Sequence, residues 1–151
     1  MSGVLGRSKL VAMTWLGWAL LSAVFAAATA ILAKIGITGI DSNLATAIRT
    51  SVILVFTWAI AIGFGKHGGI ADIGRRSWIF LVLSGVATGF SWLCYFRALQ
   101  MGPASSVAPI DKLSVVIVIV AAWLFLGESL TPLKIAGGGL ISLGVLLLAF
   151  A

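Results

Sequence analysis

The sequence predicts an all-α membrane protein, a bundle of five transmembrane helices. Hydrophobic residues make up 61% of its 151 residues and charged residues only 9%, with a mean hydropathy of +1.19. In soluble proteins about a quarter of residues are charged. Five apolar segments are long enough to cross a hydrocarbon core of about 30 Å; they cover residues 11–34, 44–64, 78–99, 104–126 and 133–150. Runs of this length do not suit a transmembrane barrel, whose strands alternate over about ten residues.

The connections between these segments leave no room for a soluble domain. The longest, residues 65–77, contains most of the polar loop residues, and the others are only a few residues long. We therefore expect residues 1–151 to form a single membrane domain without a linker.

The first segment has two interpretations. Two basic residues precede an apolar run that ends in alanines at residues 26–30, as in a secretory signal peptide. However, the apolar character continues to Ile40, beyond the 7–15 residues of a signal core. A transmembrane helix is therefore the favoured interpretation. Small residues at every fourth position continue to Lys34, which predicts that this lysine follows a packed helix face. The alternative is that Lys34 extends to the outer headgroups.

The distribution of basic residues predicts the orientation. Six lie on the side of the N-terminus and four on the other side, and the side with more Lys and Arg is cytoplasmic in most membrane proteins. The six are Arg7, Lys9, Lys66, Arg75, Arg76 and Lys134; the four are Lys34, Arg49, Arg97 and Lys112. We therefore expect a cytoplasmic N-terminus and an external C-terminus. The basic residues form no single patch, so the net charge of +6 does not indicate a nucleic-acid partner.

The second and third segments contain candidate site residues. Arg49 lies one turn into the second segment, where it can bind a solute or extend to the headgroups. In the third, Gly85 and Gly89 form a GxxxG pair suited to helix packing. A neighbouring face combines hydroxyl and aromatic side chains at helical spacing, which suits a cavity, although such hydroxyls often bond to their own helix. This face carries Ser84, Thr88, Ser91, Trp92 and Tyr95.

The fourth segment contains the most unusual sequence of the chain, a proline at position 109 followed two residues later by Asp111 and Lys112. A charge at membrane depth costs at least about 2.5–3.5 kcal/mol and usually faces a protein interior or a water-filled cavity. Pro109 removes a backbone donor and predicts a local helix break beside these charges. Adjacent helical residues point about 100° apart, so we expect Asp111 and Lys112 not to approach each other. Ser114 is expected on the Asp111 face.

The predicted site therefore has two groups of residues. Ser91, Trp92, Tyr95, Asp111 and Ser114 are expected to line a solute cavity. The basic residues Lys34, Arg49, Arg97 and Lys112 are expected to set charge selectivity or gate the outer mouth. Asp111 is the candidate proton- or cation-responsive group, and a static ion pair that joins helices is the alternative. For Arg97, pairing with Asp111 is one possible role.

The fifth segment is predicted to serve packing. Thr131 and Pro132 are typical of a helix start, and Gly138 with Ser142 forms a small-xxx-small pair. Neither Cys94, the only cysteine, nor the isolated His67 suggests a metal site. The sequence also shows no nucleophile with a neighbouring base and no nucleotide-binding signature. We therefore expect no enzyme activity, cofactor or metal.

Several parts of the chain together carry a resemblance to a known family: residues 95–114, Leu126-Gly127-Glu128 and the glycine-rich last helix, with Trp15, Lys34 and Arg49 also at expected places. With these features the chain resembles the EamA domain of the drug/metabolite transporter superfamily. Most such transporters resemble two fused copies of this unit, inverted around a central cavity. This chain contains one copy and is similar to the five-helix bacterial and archaeal members. The resemblance therefore implies a homodimer or a second EamA-like subunit in the inner membrane of a prokaryote.

The resulting hypothesis is a secondary transporter of small metabolites or toxic organic solutes, in contact with the lipid bilayer. Because the helix number is odd, two copies inserted alike cannot reproduce an inverted repeat; dual insertion, a different partner or another assembly would be required. Two other functions remain open. The chain could be a non-transporting membrane subunit or assembly factor, or a flippase whose basic residues meet lipid phosphates. A wide polar cavity that opens sideways to lipid would favour the flippase, a closed central cavity would favour solute transport, and a dry packed core would favour the structural role.

Overall fold

A computed structural model describes the backbone of residues 2–150 and the side chains of residues 15–150. Its regular elements are all helical. The helices are α1 (Ser2–Gly36), α2 (Ser42–Gly63), α3 (Arg75–Met101), α4 (Ala104–Asp111), α5 (Ser114–Leu126) and α6 (Pro132–Ala149), with a 3-10 helix at His67–Asp72. Helices α4 and α5 together form one span, Ala104–Leu126, so that five spans within the described residues are long and apolar enough to cross a membrane. The predicted fold class, a bundle of five transmembrane helices, is confirmed.

The helix ends follow from local side-chain chemistry. Asp41 accepts hydrogen bonds from the backbone N–H groups of Asn43 and Leu44 at 2.9 and 3.1 Å, so α2 begins before its apolar run. Gly127 ends α5 in the left-handed region at a φ of +67°, where a side chain would be strained. The Thr131 hydroxyl accepts from the N–H of Lys134 at 3.3 Å and caps α6.

The fourth membrane span breaks at the expected sequence, but three residues after the proline. Pro109 lies inside α4, and the break falls at Lys112 and Leu113. There the backbone forms tighter i to i−3 hydrogen bonds, including one from the N–H of Lys112 to the carbonyl of Pro109 at 2.9 Å. Because Lys112 and Leu113 keep right-handed helical backbone angles, the chain continues through the break in the same direction. The span is kinked rather than reversed.

The helices pack around α3 and α6. Helix α3 contacts α1, α2 and α4, while α6 contacts α4 and α5. Among the side chains of residues 15–150 the buried core is small, and Leu99 is the one large side chain that is completely buried. Most large apolar side chains are exposed, as expected where lipid replaces water as the solvent. The fold is that of a multi-pass membrane protein.

Two of the small-residue pairs differ in their surroundings. A side-chain carbon at Gly138 would meet Ile119 Cδ1 at 3.8 Å, so this glycine lies in the contact between α5 and α6. By contrast, open space surrounds Gly85 and Gly89. The predicted GxxxG packing on α3 therefore does not occur between described parts of this chain.

Candidate functional site in the middle of the membrane

A polar cavity of about 570 Å³ lies against the middle of α3. It extends along this helix from Ser84 to Tyr95, is bounded by α1, α2 and the break between α4 and α5, and is partly open to the surface. The eleven helical steps from Ser84 to Tyr95 rise about 16 Å, so the cavity covers roughly half of the hydrocarbon thickness. It is lined by Ala26, Thr29, Arg49, Ser84, Ala87, Thr88, Ser91, Trp92, Tyr95, Asp111, Lys112 and Ser114.

The five residues predicted to line a solute cavity all line this one. Ser91, Trp92 and Tyr95 come from one face of α3, since positions three and four apart share a helix face. Asp111 and Ser114 come from the two sides of the break in the fourth span. Whether a solute binds them remains a prediction.

Asp111 and Lys112 do approach each other, contrary to the expectation from helical geometry. Lys112 Nζ lies 3.0 Å from Asp111 Oδ2, and both side chains line the cavity. The expectation was wrong because it took the direction in which a residue leaves the helix to fix where its charge lies; the backbone at Lys112 remains right-handed helical. The long lysine side chain can then fold back to its neighbour. The pair is accessible, with side-chain exposures of 39% for Asp111 and 56% for Lys112.

Arg49 points toward α3 rather than toward the headgroups. Its guanidinium carbon lies 4.6 Å from the centre of the Trp92 ring and 5.4 Å from that of Phe96. Such distances fall within the range of cation–π attraction. Arg49 lies seven residues into α2, about 10 Å along the axis from its first residue. The arginine is thus held inside the bundle, at the wall of the cavity.

Lys34 lies outside the cavity and joins α1 to the end of α3. Its Nζ donates hydrogen bonds to the backbone carbonyls of Leu99 at 2.5 Å and Gly102 at 2.9 Å. These are the last carbonyls of α3, which lack partners within the helix and carry its partial negative charge. The prediction that Lys34 follows a packed face agrees with this position. Its proton donors are engaged in holding two helices together.

Arg97 also lies outside the cavity. Its Nη1 donates to Gln100 Oε1 at 3.3 Å, and Gln100 in turn donates to the carbonyl of Ile40 at 2.6 Å. The proposed Arg97–Asp111 pair does not occur, because the partner of Asp111 is Lys112. Arg97 is two positions after Tyr95, about 200° around the helix, which explains why it faces away.

Sequence reasoning did not include all of the lining residues. Ala26 and Thr29 come from α1, and the small-residue stripe through Ala26 was the signal that could have placed this helix against the cavity.

The hydroxyl groups of the cavity differ in their hydrogen bonds. The Thr88 hydroxyl bonds back to the carbonyl of Ser84 at 2.9 Å, as expected for Ser and Thr in membrane helices. Across the side chains that the structure describes, Ser91 and Ser114 make no such bond, which leaves their hydroxyls available to a ligand. Within the same residues, no three His, Cys, Asp or Glu side chains gather as a metal site would require.

Comparison with known proteins identifies one family and two similar bacterial proteins. Residues 13–150 match the EamA-like transporter family. A Sinorhizobium protein described as an uncharacterized transporter in the cobO 3′ region is 51% identical over 139 residues, which cover 92% of this chain and 99% of that protein. The Bacillus subtilis uncharacterized transporter YxxF is 30% identical over 129 residues, covering 83% of this chain but only 40% of YxxF. No solved structure matches the chain.

Proposed function

Because the chain belongs to the EamA-like transporter family, we propose that it is a secondary transporter of small metabolites or toxic organic solutes and not an enzyme. The observation that supports this function best is the polar cavity in the middle of the membrane span. Hydroxyl, aromatic and charged side chains meet there at a helix break, where irregular backbone is tolerated if it lines a cavity. Ser91, Trp92, Tyr95, Asp111 and Ser114 would contact the solute.

Asp111 is the proposed coupling residue. Its carboxylate is paired with Lys112 but remains accessible from the cavity. A proton or a cationic group of a solute can therefore compete with the lysine for the same oxygen atoms. When a proton or a cationic group replaces Lys112 beside Asp111, the net charge of the cavity increases by one. A charge inside the membrane favours structures that bring it to water. Binding at Asp111 would therefore change the side of the membrane to which the cavity opens.

The remaining basic residues take separate roles in this proposal. Arg49 and Lys112 line the cavity and would set charge selectivity. Lys34, bonded to the end of α3, would fix the outer ends of α1 and α3 as one unit. Arg97 bonds to Gln100 on the other side of α3 and would contribute only to the outer surface. Pro109 would keep the fourth span flexible near the break.

We propose further that a second copy, or another EamA-like subunit, completes the cavity. Asp111 and Lys112 are too exposed in a single chain to face lipid at low cost. The match covers 99% of the Sinorhizobium relative but only 40% of YxxF. The longer relative thus has room for a second unit. Dual insertion of one chain, or a distinct partner, would supply the inverted second half.

The proposed location is the inner membrane of a prokaryote, with the N-terminus cytoplasmic and the C-terminus outside. The bacterial relatives and the five spans support a plasma-membrane protein. The distribution of basic residues supports the orientation. Membrane-impermeant thiol labelling of a cysteine placed at either terminus, in a Cys94→Ala background, would show one accessible terminus for single insertion. Half-labelling of both termini would show dual insertion.

Solute uptake by purified protein in liposomes tests the transport function. A panel of radiolabelled metabolites and cationic dyes would be offered with and without an imposed proton gradient. Two variants form a matched pair, because Asp111→Asn and Glu128→Gln each remove a carboxylate that lies about 3 Å from a lysine. Only the first of these carboxylates lies in the cavity.

We expect gradient-dependent uptake by the wild type and by Glu128→Gln. Asp111→Asn is expected to lose the dependence on the gradient, because its amide cannot exchange a proton in this pH range. Equal dependence in the two variants would remove Asp111 from coupling. Failure to take up any solute, with the protein folded and inserted, would instead favour a non-transporting subunit.

A further inference from the structure

Arg49 is the charged residue of the cavity that lacks a carboxylate partner. The ion pairs among the residues with described side chains are Lys112–Asp111 and Lys134–Glu128. In the cavity, the first of these pairs cancels its own charge, which leaves the positive charge of Arg49 uncompensated. A half-buried positive charge without a counter-charge in a transport cavity favours an anionic ligand.

The hydrogen-bonding groups of Arg49 are also available. Its guanidinium carbon lies over the rings of Trp92 and Phe96, and a ring face offers no lone pair to the guanidinium N–H groups. Within the side chains that the structure describes, no oxygen accepts a hydrogen bond from this guanidinium. Five donors without acceptors at membrane depth are costly unless water or a ligand meets them. The planar edge of arginine fits the two oxygens of a carboxylate or phosphate.

A second, apolar cavity adjoins Arg49. It has a volume of about 360 Å³ and lies between α1 and the start of α2, with Leu32, Ile37 and Ile48 among its lining residues. Arg49 and Thr29 line both this cavity and the polar one. The arginine therefore stands at the junction of an apolar compartment and a polar compartment.

From this juxtaposition we infer that the ligand is an amphiphilic organic anion. Its carboxylate or phosphate group binds the edge of the Arg49 guanidinium, and its apolar part occupies the cavity between α1 and α2. Polar substituents face the hydroxyls of Ser91 and Ser114. This inference rests on the proposed transport function, for which it names the substrate class. Such a ligand can come from water, as a fatty or aromatic carboxylate, or from the bilayer, as an anionic lipid.

Direct binding to the protein tests the inference without any transport step. The protein would be reconstituted in nanodiscs of phosphatidylcholine, and octanoate would be titrated while tryptophan fluorescence is recorded. Acetate serves as an anion without an apolar part, and octylammonium as a chain of the same length with the opposite charge. The difference in fluorescence change between the wild type and Trp92→Phe gives the contribution of the Trp92 ring, which lies beside Arg49.

We expect saturable octanoate binding at least about tenfold tighter than that of acetate or octylammonium. Arg49→Gln is expected to weaken it by about tenfold or more, whereas Arg49→Lys should retain part of the affinity because it keeps the charge but not the planar edge. Arg97→Gln is the matched control, since Arg97 lies outside both cavities, and its affinity should equal that of the wild type. Circular dichroism and size exclusion would establish that each variant is folded.

A further arm separates the two sources of the anion. Replacing part of the phosphatidylcholine with phosphatidylglycerol should lower the apparent octanoate affinity if an anionic lipid uses the site, and leave it unchanged if the ligand is soluble; either result supports an anion site at Arg49.

Equal binding of octanoate and octylammonium would overturn the inference, as would full octanoate affinity in folded Arg49→Gln. Arg49-dependent binding in a protein that transports nothing would contradict only the proposed function. Gradient-driven uptake with octanoate binding independent of Arg49 would contradict only the inference.

Discussion

Replacing Lys34 with methionine should destabilise the protein more than any other removal of a positive charge from its described side chains. The substitution keeps a long apolar side chain but removes hydrogen bonds to the carbonyls of Leu99 and Gly102. Leu99 is completely buried, so water cannot easily replace the lost donor there. The contact also joins α1 to α3, which are distant in sequence. We therefore expect both helix-end stability and tertiary packing to be affected.

The magnitude follows from the two bonds. A hydrogen bond to a charged group contributes about 1.5–3 kcal/mol, and an unsatisfied buried acceptor costs about 1–3 kcal/mol. The favourable interaction with the end of the α3 dipole adds about 0.3–1 kcal/mol. Because Gly102 is only half-buried and its carbonyl can be partly rehydrated, we expect Lys34→Met to lower the free energy of unfolding by about 3 kcal/mol. This corresponds to about two powers of ten in the unfolding equilibrium.

Equilibrium unfolding in mixed micelles, with increasing sodium dodecyl sulfate and helicity as the signal, measures this difference. Lys134→Met is the matched control, because Lys134 pairs at 3.1 Å with an exposed carboxylate and exposed pairs contribute about 0–1 kcal/mol. A loss below about 0.5 kcal/mol in Lys34→Met, or equal losses in the two variants, would refute the assigned role of Lys34.

Further predictions concern the glycines and the ring beneath Arg49. Gly138→Val should destabilise the protein by about 1–3 kcal/mol, since Ile119 lies 3.8 Å from the added carbon, whereas Gly139→Val, with open space around it, should be nearly neutral in the same micelle titration. Gly127→Ala should cost about 1 kcal/mol because of its positive φ, and an unchanged midpoint would contradict the strain argument. Trp92→Leu should lose about 0.5–2 kcal/mol of cation–π attraction to Arg49; equal stability to the wild type would show that the stacking contributes nothing.

The sequence predicted those parts of the site that depend on single helices. Ser91, Trp92 and Tyr95 share a face through 3.6-residue periodicity, and Asp111 is conspicuous because a carboxylate at membrane depth is costly. These features require no knowledge of how helices pack. The presence of Pro109 also predicted the break in the fourth span. The position of the break, at Lys112 and Leu113, depends on which backbone N–H groups form i to i−3 hydrogen bonds, and the sequence does not show this.

The parts that sequence reasoning could not provide depend on contacts between helices. Lys34 bonds to carbonyls more than sixty positions away, and nothing local distinguishes this arrangement from a lysine that extends to the headgroups. The direction of Arg49 is set by Trp92 and Phe96 on another helix. The Asp111–Lys112 pair was excluded by a rule about backbone direction, which does not fix where the end of a long lysine side chain lies. For Lys34 and Arg49 the deciding partner lies on another helix, and for Lys112 the length of its own side chain decides.

Accessibility of the cavity to water-soluble reagents tests the central claim most directly, because it requires no knowledge of the solute. Single cysteines would replace Ser91, Ser114 and Val86 in a Cys94→Ala background, with the protein in liposomes and a charged methanethiosulfonate reagent outside and inside. Ser91 and Ser114 line the cavity, whereas Val86 lies on the opposite face of α3 and is exposed where lipid is expected. We predict rapid modification at positions 91 and 114 and none at position 86. Equal protection of all three would contradict a water-filled solute pathway at this site.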